Sequence, residues 1–285
     1  MSNKPAQRRA SPKNRLRSQQ VRSFRSLIYH HYKKCRRDFP WRHTSSPYRI
    51  LVSEIMLQQT QAARVVEKYA SFITTFPNIK KLASAPIRKV LQAWQGLGYN
   101  RRAIALRCIA QIVILSHQGR LPRNYDALLR LPGVGPATAA AIMAFAFNKT
   151  SVYLETNVRT VFIHHFFRTK KSVKDSEILP LIEQTMDARD PKKWYTALLD
   201  YGAQLKKQRP NPSRRSARFA TQSRFEGSNR QLRGKIIQTL ITKENQTPAQ
   251  LARLLRTDKA MVLKNLEQMK KEGLIKKHAL RFSIL

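Results

Sequence analysis

The chain has 285 residues, 42% of them hydrophobic, so it can bury one large core or two modest ones. Its 55 lysines and arginines against 16 acidic residues give a formal charge of +39, which predicts a polyanionic partner. No apolar run reaches the roughly 18 residues that span a bilayer, so we expect no membrane contact. Two cysteines are too few for a disulfide framework or an all-cysteine metal site.

Four segments follow one another along the chain. Residues 1–22 are basic and polar, and we expect a disordered tail there. From 23 to 205, apolar residues recur at three- and four-residue spacing, which predicts an all-α body. Residues 206–228 are basic and poor in aliphatic side chains, as in a loop or linker. Residues 229–285 predict three helices and a terminal hairpin, which together indicate a winged-helix-like domain.

The boundaries inside the last segment come from capping signals. The first helix is expected over 229–241, and Thr247 with Pro248 is expected to open the second as N-cap and first-turn proline. Thr257 is expected to open the third, which stops near Gly273. Such a domain can bind DNA or serve as a packing module, and the sequence leaves both open.

A two-helix motif with a tight turn occupies residues 131–147, which read LPGVGPATAAAIMAFAF. We expect one helix to end at Leu131, Gly133 and Gly135 to adopt positive φ, and a second helix to begin at Pro136. A helix N-terminus and free N–H groups aimed at one point suit a DNA phosphate. The residues expected to line this phosphate site are Gly133, Val134, Gly135, Ala137 and Thr138.

Two glutamates stand in apolar surroundings. Glu54 lies in SPYRILVSEIMLQQTQ, and Glu155 follows a short apolar run two residues before Asn157. Cleaving a glycosidic bond requires an acid for the leaving group and a carboxylate that stabilises the cationic sugar. The two glutamates are candidates for this pair, and apolar neighbours predict that Glu54 is partly buried with a raised pKa.

Several short segments of the chain resemble those of one enzyme family. The segments PWR, SPY, SEIMLQQTQ, GLGY, LPGVG, TA and NV occur in the order and spacing of MutY-type adenine DNA glycosylases, of the endonuclease III branch of the helix-hairpin-helix superfamily. The resemblance covers residues 24 to about 205. It implies two helical parts flanking a cleft, and release of adenine mispaired with 8-oxoguanine or guanine after the nucleotide is flipped out of duplex DNA.

The resemblance also implies roles for individual residues. Glu54 would protonate the adenine, Glu155 would stabilise the sugar cation, and Asn157 would hydrogen-bond within the catalytic centre. The residues implied to form the base pocket and to probe the opened duplex are Arg42, Gln58, Gln59 and Tyr99. Relatives with lyase activity carry a nucleophilic lysine where this chain has Ala137, so we expect a monofunctional enzyme that uses water.

Two departures from the family pattern affect the expected chemistry. The family has Asp where this chain has Glu155, which moves the carboxylate outward by one methylene. The four cysteines that hold the family's iron–sulfur cluster align with Lys206, Ser213, Ser216 and Gln222, none of which can hold a four-iron cluster. We therefore expect no cofactor and no metal.

Three alternatives remain open at this stage. The chain could be a thymine or uracil mismatch glycosylase, a catalytically impaired lesion-binding protein, or a winged-helix regulator that acts through residues 229–285. In each case the expected partner is double-stranded DNA, with a mismatch or oxidative lesion for the first two. We expect a cytoplasmic, nucleoid-associated monomer.

Overall fold

The fold was obtained as a computed structural model that describes residues 15–208, 210–222 and 224–285. The described residues are mostly helical, with two short strands near the C-terminus, so the predicted all-α class with a terminal hairpin is confirmed. The helices are α1 (Ser18–Cys35), α2 (Pro47–Leu57), α3 (Ala62–Thr75), α4 (Ile79–Ser84), α5 (Ile87–Ala93), α6 (Arg101–Ser116), α7 (Tyr125–Leu129), α8 (Pro136–Phe147), α9 (Thr156–Phe166), α10 (Asp175–Thr185), α11 (Pro191–Leu205), α12 (Asn229–Thr242), α13 (Pro248–Leu255) and α14 (Lys259–Lys271). The strands are β1 (Ile275–His278) and β2 (Arg281–Ile284).

The chain forms two compact units, and each is built from two stretches of sequence. The first unit contains the described residues up to Asp38 together with Ala140–Thr221, and the second contains Phe39–Ala139 and Gln222–Leu285. We call the second the hairpin unit, because it includes the tight turn at residues 131–136, and the first the companion unit. The predicted division at 23–205, 206–228 and 229–285 stays a prediction.

The core of the companion unit is aromatic. The Phe24 ring of α1 packs against Phe162 and Phe166 of α9 and against Trp194 of α11, with ring centroids 5.0–6.0 Å apart. Phe162 and Phe166 are four residues apart, so both rings lie on the face of α9 that meets α1. The packing brings the N-terminal turn of α9 against α11.

Helix α1 begins at Ser18, inside the segment predicted as a disordered tail. The rest of that prediction, residues 1–14, lies outside the described residues. The helix is anchored at this end by contacts within the companion unit, since the backbone N–H of Leu16 donates to the Gln184 side chain at 2.8 Å. In the part of the chain described, no helix is long and apolar enough to span a membrane.

The hairpin unit holds a larger apolar core. Leu51 of α2, Phe72 of α3 and Trp94 after α5 are fully buried, and the Phe72 and Trp94 rings meet edge to face at 5.8 Å. Helix α4 packs along α6, and α2 packs against both α3 and α6. The polar end of α2, from Gln58 onward, is thereby brought beside the tight turn.

The C-terminal module, residues 229–285, has the predicted three helices and hairpin. Thr247 caps α13 with the reciprocal bonds of a capping box, and Pro248 is the first residue of the helix. The expected cap of α14 was wrong by one residue: Asp258, and not Thr257, accepts the N–H of Met261. A carboxylate is favoured at this position because it faces the positive end of the helix dipole. Strands β1 and β2 pair antiparallel.

The C-terminal module is anchored to helices α5 and α6. Arg88 of α5 donates to the Ile241 carbonyl at 2.8 Å, at the end of α12 where carbonyls lack intrahelical donors. Glu272, after α14, pairs with Arg233 of α12 and lies 4.0 Å from the Arg101 guanidinium of α6. The module therefore packs as part of the hairpin unit.

Candidate functional site

The tight turn between α7 and α8 forms as predicted, with two corrections. Helix α7 ends at Leu129, two residues before the predicted Leu131, because the chain already turns there. Gly133 has φ +75°, and a Cβ on it would lie 3.0 Å from the Ala105 side chain. Gly135 does not adopt positive φ, contrary to expectation. Its carbonyl accepts the N–H of Ala139 at 2.9 Å, so it already belongs to the start of the helix.

The first turn of α8 supplies the N–H groups of Ala137 and Thr138, which have no intrahelical acceptor by helix geometry. The Val134 N–H donates to the Leu131 carbonyl at 3.2 Å inside the turn. Thr138 is buried, and its hydroxyl receives the Gln58 amide at 3.1 Å. The same amide donates to the Gly133 carbonyl at 3.1 Å, so Gln58 fixes the turn relative to α2.

Arg102 is a buried residue that the sequence analysis missed. Its guanidinium donates to the carbonyls of Ile55 and Met56 at 3.0 and 2.7 Å, and to those of Leu97 and Gly98 at 3.0 and 3.1 Å. Burial lowers its pKa to about 10. Arg102 thus joins the end of α2 to the loop before α6. Its place two residues after the GLGYN segment was the available signal.

Gln59 and Tyr99 both have left-handed backbone conformations, with φ of 55° and 49°. Positive φ is uncommon outside glycine and points to constraint by neighbouring contacts. Gln59 is exposed, and 37% of Tyr99 is exposed. The Tyr99 hydroxyl contacts the side chains of Gln222 and Arg230. These residues lie in the same unit as Gln58.

Arg42 lies in a short 3-10 turn, Pro40–His43. Its guanidinium carbon is 4.9 Å from the centre of the Phe39 ring, which stacks on buried Trp41 with centroids 4.9 Å apart. A cation over an aromatic face is attracted by the ring quadrupole. The aromatic pair therefore orients Arg42.

Glu54 occupies the middle of α2 and is half-buried, whereas Ser53, Ile55 and Met56 around it are fully buried. The predicted partial burial is therefore present. Glu54 belongs to the hairpin unit, on the same helix whose end carries Gln58.

Glu155 is the N-cap of α9 in the companion unit. Its carboxylate accepts the backbone N–H groups of Asn157 and Val158, the latter at 3.0 Å. Burial raises the pKa of Glu155, while these hydrogen bonds and the charges of Lys206 and Arg159 oppose the rise. The longer side chain is folded back onto the helix N-terminus, where a negative charge is favoured by the helix dipole.

Asn157 lies in the first turn of α9, with its amide nitrogen 3.5 Å from Glu155 Oε2. Its side-chain oxygen is buried and has no hydrogen-bond partner among the described residues. Gly202 of α11 permits close contact here, because a Cβ on it would lie 2.1 Å from the Asn157 carbonyl oxygen. An unsatisfied buried acceptor is costly, and such groups are often kept for a ligand or a reaction.

The residues aligned with the family's cluster cysteines are engaged in other contacts. The Ser213 hydroxyl and backbone N–H both donate to Asn211 Oδ1, at 2.9 and 3.0 Å. Ser216 forms a bridge with Val173, and the Gln222 amide contacts the Tyr99 hydroxyl. In residues 15–208, 210–222 and 224–285, no three His, Cys, Asp or Glu side chains are grouped to hold a metal ion. These residues do not fit an iron–sulfur cluster.

Arg215 holds this loop to the rest of the companion unit. Its guanidinium donates to the carbonyls of Phe167 and Arg168, the latter at 2.8 Å, where α9 ends. Its backbone carbonyl accepts the Val173 N–H at 2.8 Å, and Ala217 returns a bond to Val173 at 2.9 Å. One arginine therefore joins the loop to the C-terminus of α9, where orphan carbonyls need donors.

Comparison with known proteins agrees with this geometry. A family model described as "HhH-GPD superfamily base excision DNA repair protein" matches residues 52–181. An adenine DNA glycosylase of Mycolicibacterium smegmatis is 33% identical over 270 residues, which is 87% of this chain and 91% of the relative. The chain belongs to this superfamily. The resemblance predicted from the sequence motifs is thus confirmed.

Two further comparisons concern glycosylases of different base preference in their names. An adenine DNA glycosylase of Buchnera aphidicola is 37% identical over 179 residues, 61% of this chain, and the match spans only half the length of that relative. A solved thermostable thymine-DNA glycosylase is 31% identical, with a TM-score of 0.63, covering 68% of this chain and 91% of that one.

Proposed function

We propose that this chain is a monofunctional DNA glycosylase that hydrolyses the N-glycosidic bond of adenine mispaired with 8-oxoguanine or guanine in duplex DNA. The observation that carries the chemistry is the Glu155 carboxylate, partly buried and held by two backbone N–H groups at the start of α9. A fixed carboxylate in this setting can stabilise a developing sugar cation. The choice of adenine is supported by the Mycolicibacterium relative, which matches along 91% of its length.

In the proposed reaction Glu54 donates a proton to the adenine. The bond between the sugar and the base then breaks, with its electron pair passing to the base, and Glu155 stabilises the cationic sugar. Water adds to the sugar carbon, and its proton passes to the Glu54 carboxylate, which restores the acid. Asn157 positions the Glu155 carboxylate through its amide. Ala137 has no amine, so no Schiff base with the sugar is expected.

The DNA contacts proposed for the hairpin unit follow from its charge and turn geometry. The N–H groups of Ala137 and Thr138 at the start of α8 suit a phosphate, and Gly133 lets the backbone approach closely. The backbone groups of Val134 and Gly135 shape the turn. The side chains proposed to reach the base pocket or the opened duplex are Arg42, Gln58, Gln59 and Tyr99. No metal or cofactor takes part in the proposal.

A second candidate is a thymine or uracil mismatch glycosylase. It is favoured by the likeness to the thymine-DNA glycosylase structure, at 31% identity over 91% of that chain. The two candidates use the same unit architecture and the same phosphate site, so they differ in the base that is released.

Single-turnover base release separates these functions. The substrates are duplexes with adenine opposite 8-oxoguanine, adenine opposite guanine, and thymine or uracil opposite guanine. We expect adenine release by the unaltered chain, and a loss of about a hundredfold or more in Glu54→Gln and in Glu155→Gln, with DNA binding retained. Glu155→Asp, which restores the family's residue, should release adenine at an equal or higher rate. Release of thymine or uracil alone would select the second candidate, and no release by either the unaltered chain or Glu155→Asp would contradict both.

A further inference from the structure

A cleft of about 700 Å³ opens within the hairpin unit, and two distant parts of the sequence line it. One wall comes from α2, α6 and the tight turn at Gly133, and the other from α12 and α14 of the C-terminal module. Clefts of 300–1,000 Å³ take ligands of small-molecule size, such as one nucleotide. The cleft joins the phosphate-binding turn to a module whose role the sequence left open.

The lining of the cleft is cationic. Its charged side chains are four arginines and one acid: Arg101, Arg102, Arg230, Arg233 and Glu272. The Arg102 guanidinium is occupied by backbone carbonyls, and Glu272 pairs with Arg233. With four guanidinium groups and one carboxylate, the lining carries a net positive charge, which favours an anionic occupant.

Tyr99 gives the cleft an aromatic surface that is held in place. Its hydroxyl contacts Gln222 and lies 3.1 Å from the Arg230 guanidinium. The guanidinium carbons of Arg102 and Arg230 lie 5.5 and 5.8 Å from the ring centre. Its left-handed backbone conformation, at φ 49°, is maintained by the contacts around it. An aromatic ring beside guanidinium planes is the surface on which unstacked nucleic-acid bases stack.

We propose that this cleft holds one unstacked nucleotide of the bound DNA, and that Arg230 is a specificity-determining residue there. The base would lie against Tyr99 and the guanidinium of Arg230, with its phosphate facing Arg101. The C-terminal module thereby contributes directly to DNA recognition. The inference rests on the proposed function only in taking DNA as the bound polymer.

The test uses the full chain and a duplex that has nothing to excise. A tetrahydrofuran abasic analogue replaces the target nucleotide, and 2-aminopurine, a fluorescent purine, is placed in turn at each neighbouring and opposite position. We expect the emission at one position to change on binding, and Arg230→Met to remove that change and weaken binding by about tenfold. Arg230→Lys keeps the charge but not the planar group, so it should restore the salt dependence of binding without restoring the emission change.

Arg253→Met is the matched control, because Arg253 is exposed on α13 and does not line the cleft. It removes the same charge from the same module, and we expect the emission change to persist. If no position shows a change, or if Arg253→Met removes it as fully as Arg230→Met, the cleft does not hold a nucleotide.

A second measurement keeps the test decisive if Arg230→Met fails to fold. Cys108 lines the cleft, whereas Cys35 is exposed in the companion unit. In a Cys35→Ser protein, the same nucleotide carries a tether that ends in a mixed disulfide with a small thiol. The Cys108 thiol should exchange with it, releasing the small thiol and leaving a protein–DNA disulfide, and Cys108→Ala should abolish this crosslink. Absence of the crosslink at every position overturns the proposal. The abasic duplex has no base to release. The fluorescence and crosslinking results can therefore be interpreted even if the chain fails to release adenine in the other assay.

Discussion

Replacing Gly202 by alanine tests whether the contact between α9 and α11 positions the candidate catalytic carboxylate. A Cβ at this position would lie 2.1 Å from the Asn157 carbonyl oxygen, 2.6 Å from its carbon and 2.9 Å from its Cα. All three atoms are backbone, so no flexible side chain can move aside. The helices must separate, and the first turn of α9, with Glu155 as its cap, must shift.

The size of the effect follows from that distance. Ordinary contact begins at 3.4 Å, so the 2.1 Å approach requires a displacement of about 1 Å. Overpacking a well-packed core costs ~1–3 kcal/mol, and a rigid backbone obstacle places Gly202→Ala near the upper end. A shift of about 1 Å at reacting groups lowers rates on the order of a hundredfold. We therefore expect a free energy of unfolding lower by ~3 kcal/mol and a slower base release.

Urea unfolding of the full chain measures the first quantity, and single-turnover adenine release at a temperature where the variant is folded measures the second. Gly234→Ala is the control for stability, since beyond its chain neighbours and its own helical backbone no heavy atom lies within 4 Å of its Cβ position in α12. It should raise the free energy of unfolding by up to ~1 kcal/mol through helix propensity. A Gly202→Ala protein within ~1 kcal/mol of the unaltered chain would refute the packing argument.

Four further outcomes are expected. Arg215→Met should increase proteolysis within residues 206–222 and lower the free energy of unfolding by ~1–3 kcal/mol, because it removes the guanidinium that donates to the Phe167 and Arg168 carbonyls. The raised pKa of Glu155 predicts that adenine release falls as the pH drops through that pKa. The free energy of unfolding, compared with that of Glu155→Gln, should be highest below the unfolded-state pKa of 4.5. It should fall as the pH rises through the raised pKa of Glu155 in the folded protein. Deleting residues 1–20 should flatten the salt dependence of DNA binding and leave lesion preference intact, which titrations at several salt concentrations would check. Purified protein should contain no stoichiometric iron by elemental analysis, and iron retained after anaerobic purification would contradict this.

The features predicted correctly are those with a local physical cause. Thr247 followed by Pro248 names a helix start through capping chemistry alone, and the alternating C-terminal residues predict a hairpin through their period. The tight turn at Gly133 follows from glycine's freedom at positive φ. Such signals depend on neighbours within a few residues, so the sequence carries them directly.

The features that were missed or wrong depend on contacts between distant segments. Arg102 reads as one more basic residue in a basic chain, and only the fold reveals that it bonds to carbonyls 44–47 residues earlier. Gly202 looks like any helical glycine until α9 is packed against it. The Gly135 error has a different origin, because one positive φ at Gly133 was enough to reverse the chain.

The loss of the cluster cysteines raises the question of how the loop after α11 keeps its place. A four-iron cluster would tie four points of this segment together, and a chain with two cysteines has no such tie. Arg215 meets the same need by a different means, because a guanidinium has five donors and reaches several carbonyls at and after the end of α9. The bridge between Val173 and Ser216 adds backbone pairing on the adjoining residues. The loop is therefore held by donors that remain charged at any physiological pH and need no metal, which is why we expect its fold to survive chelation and oxidation.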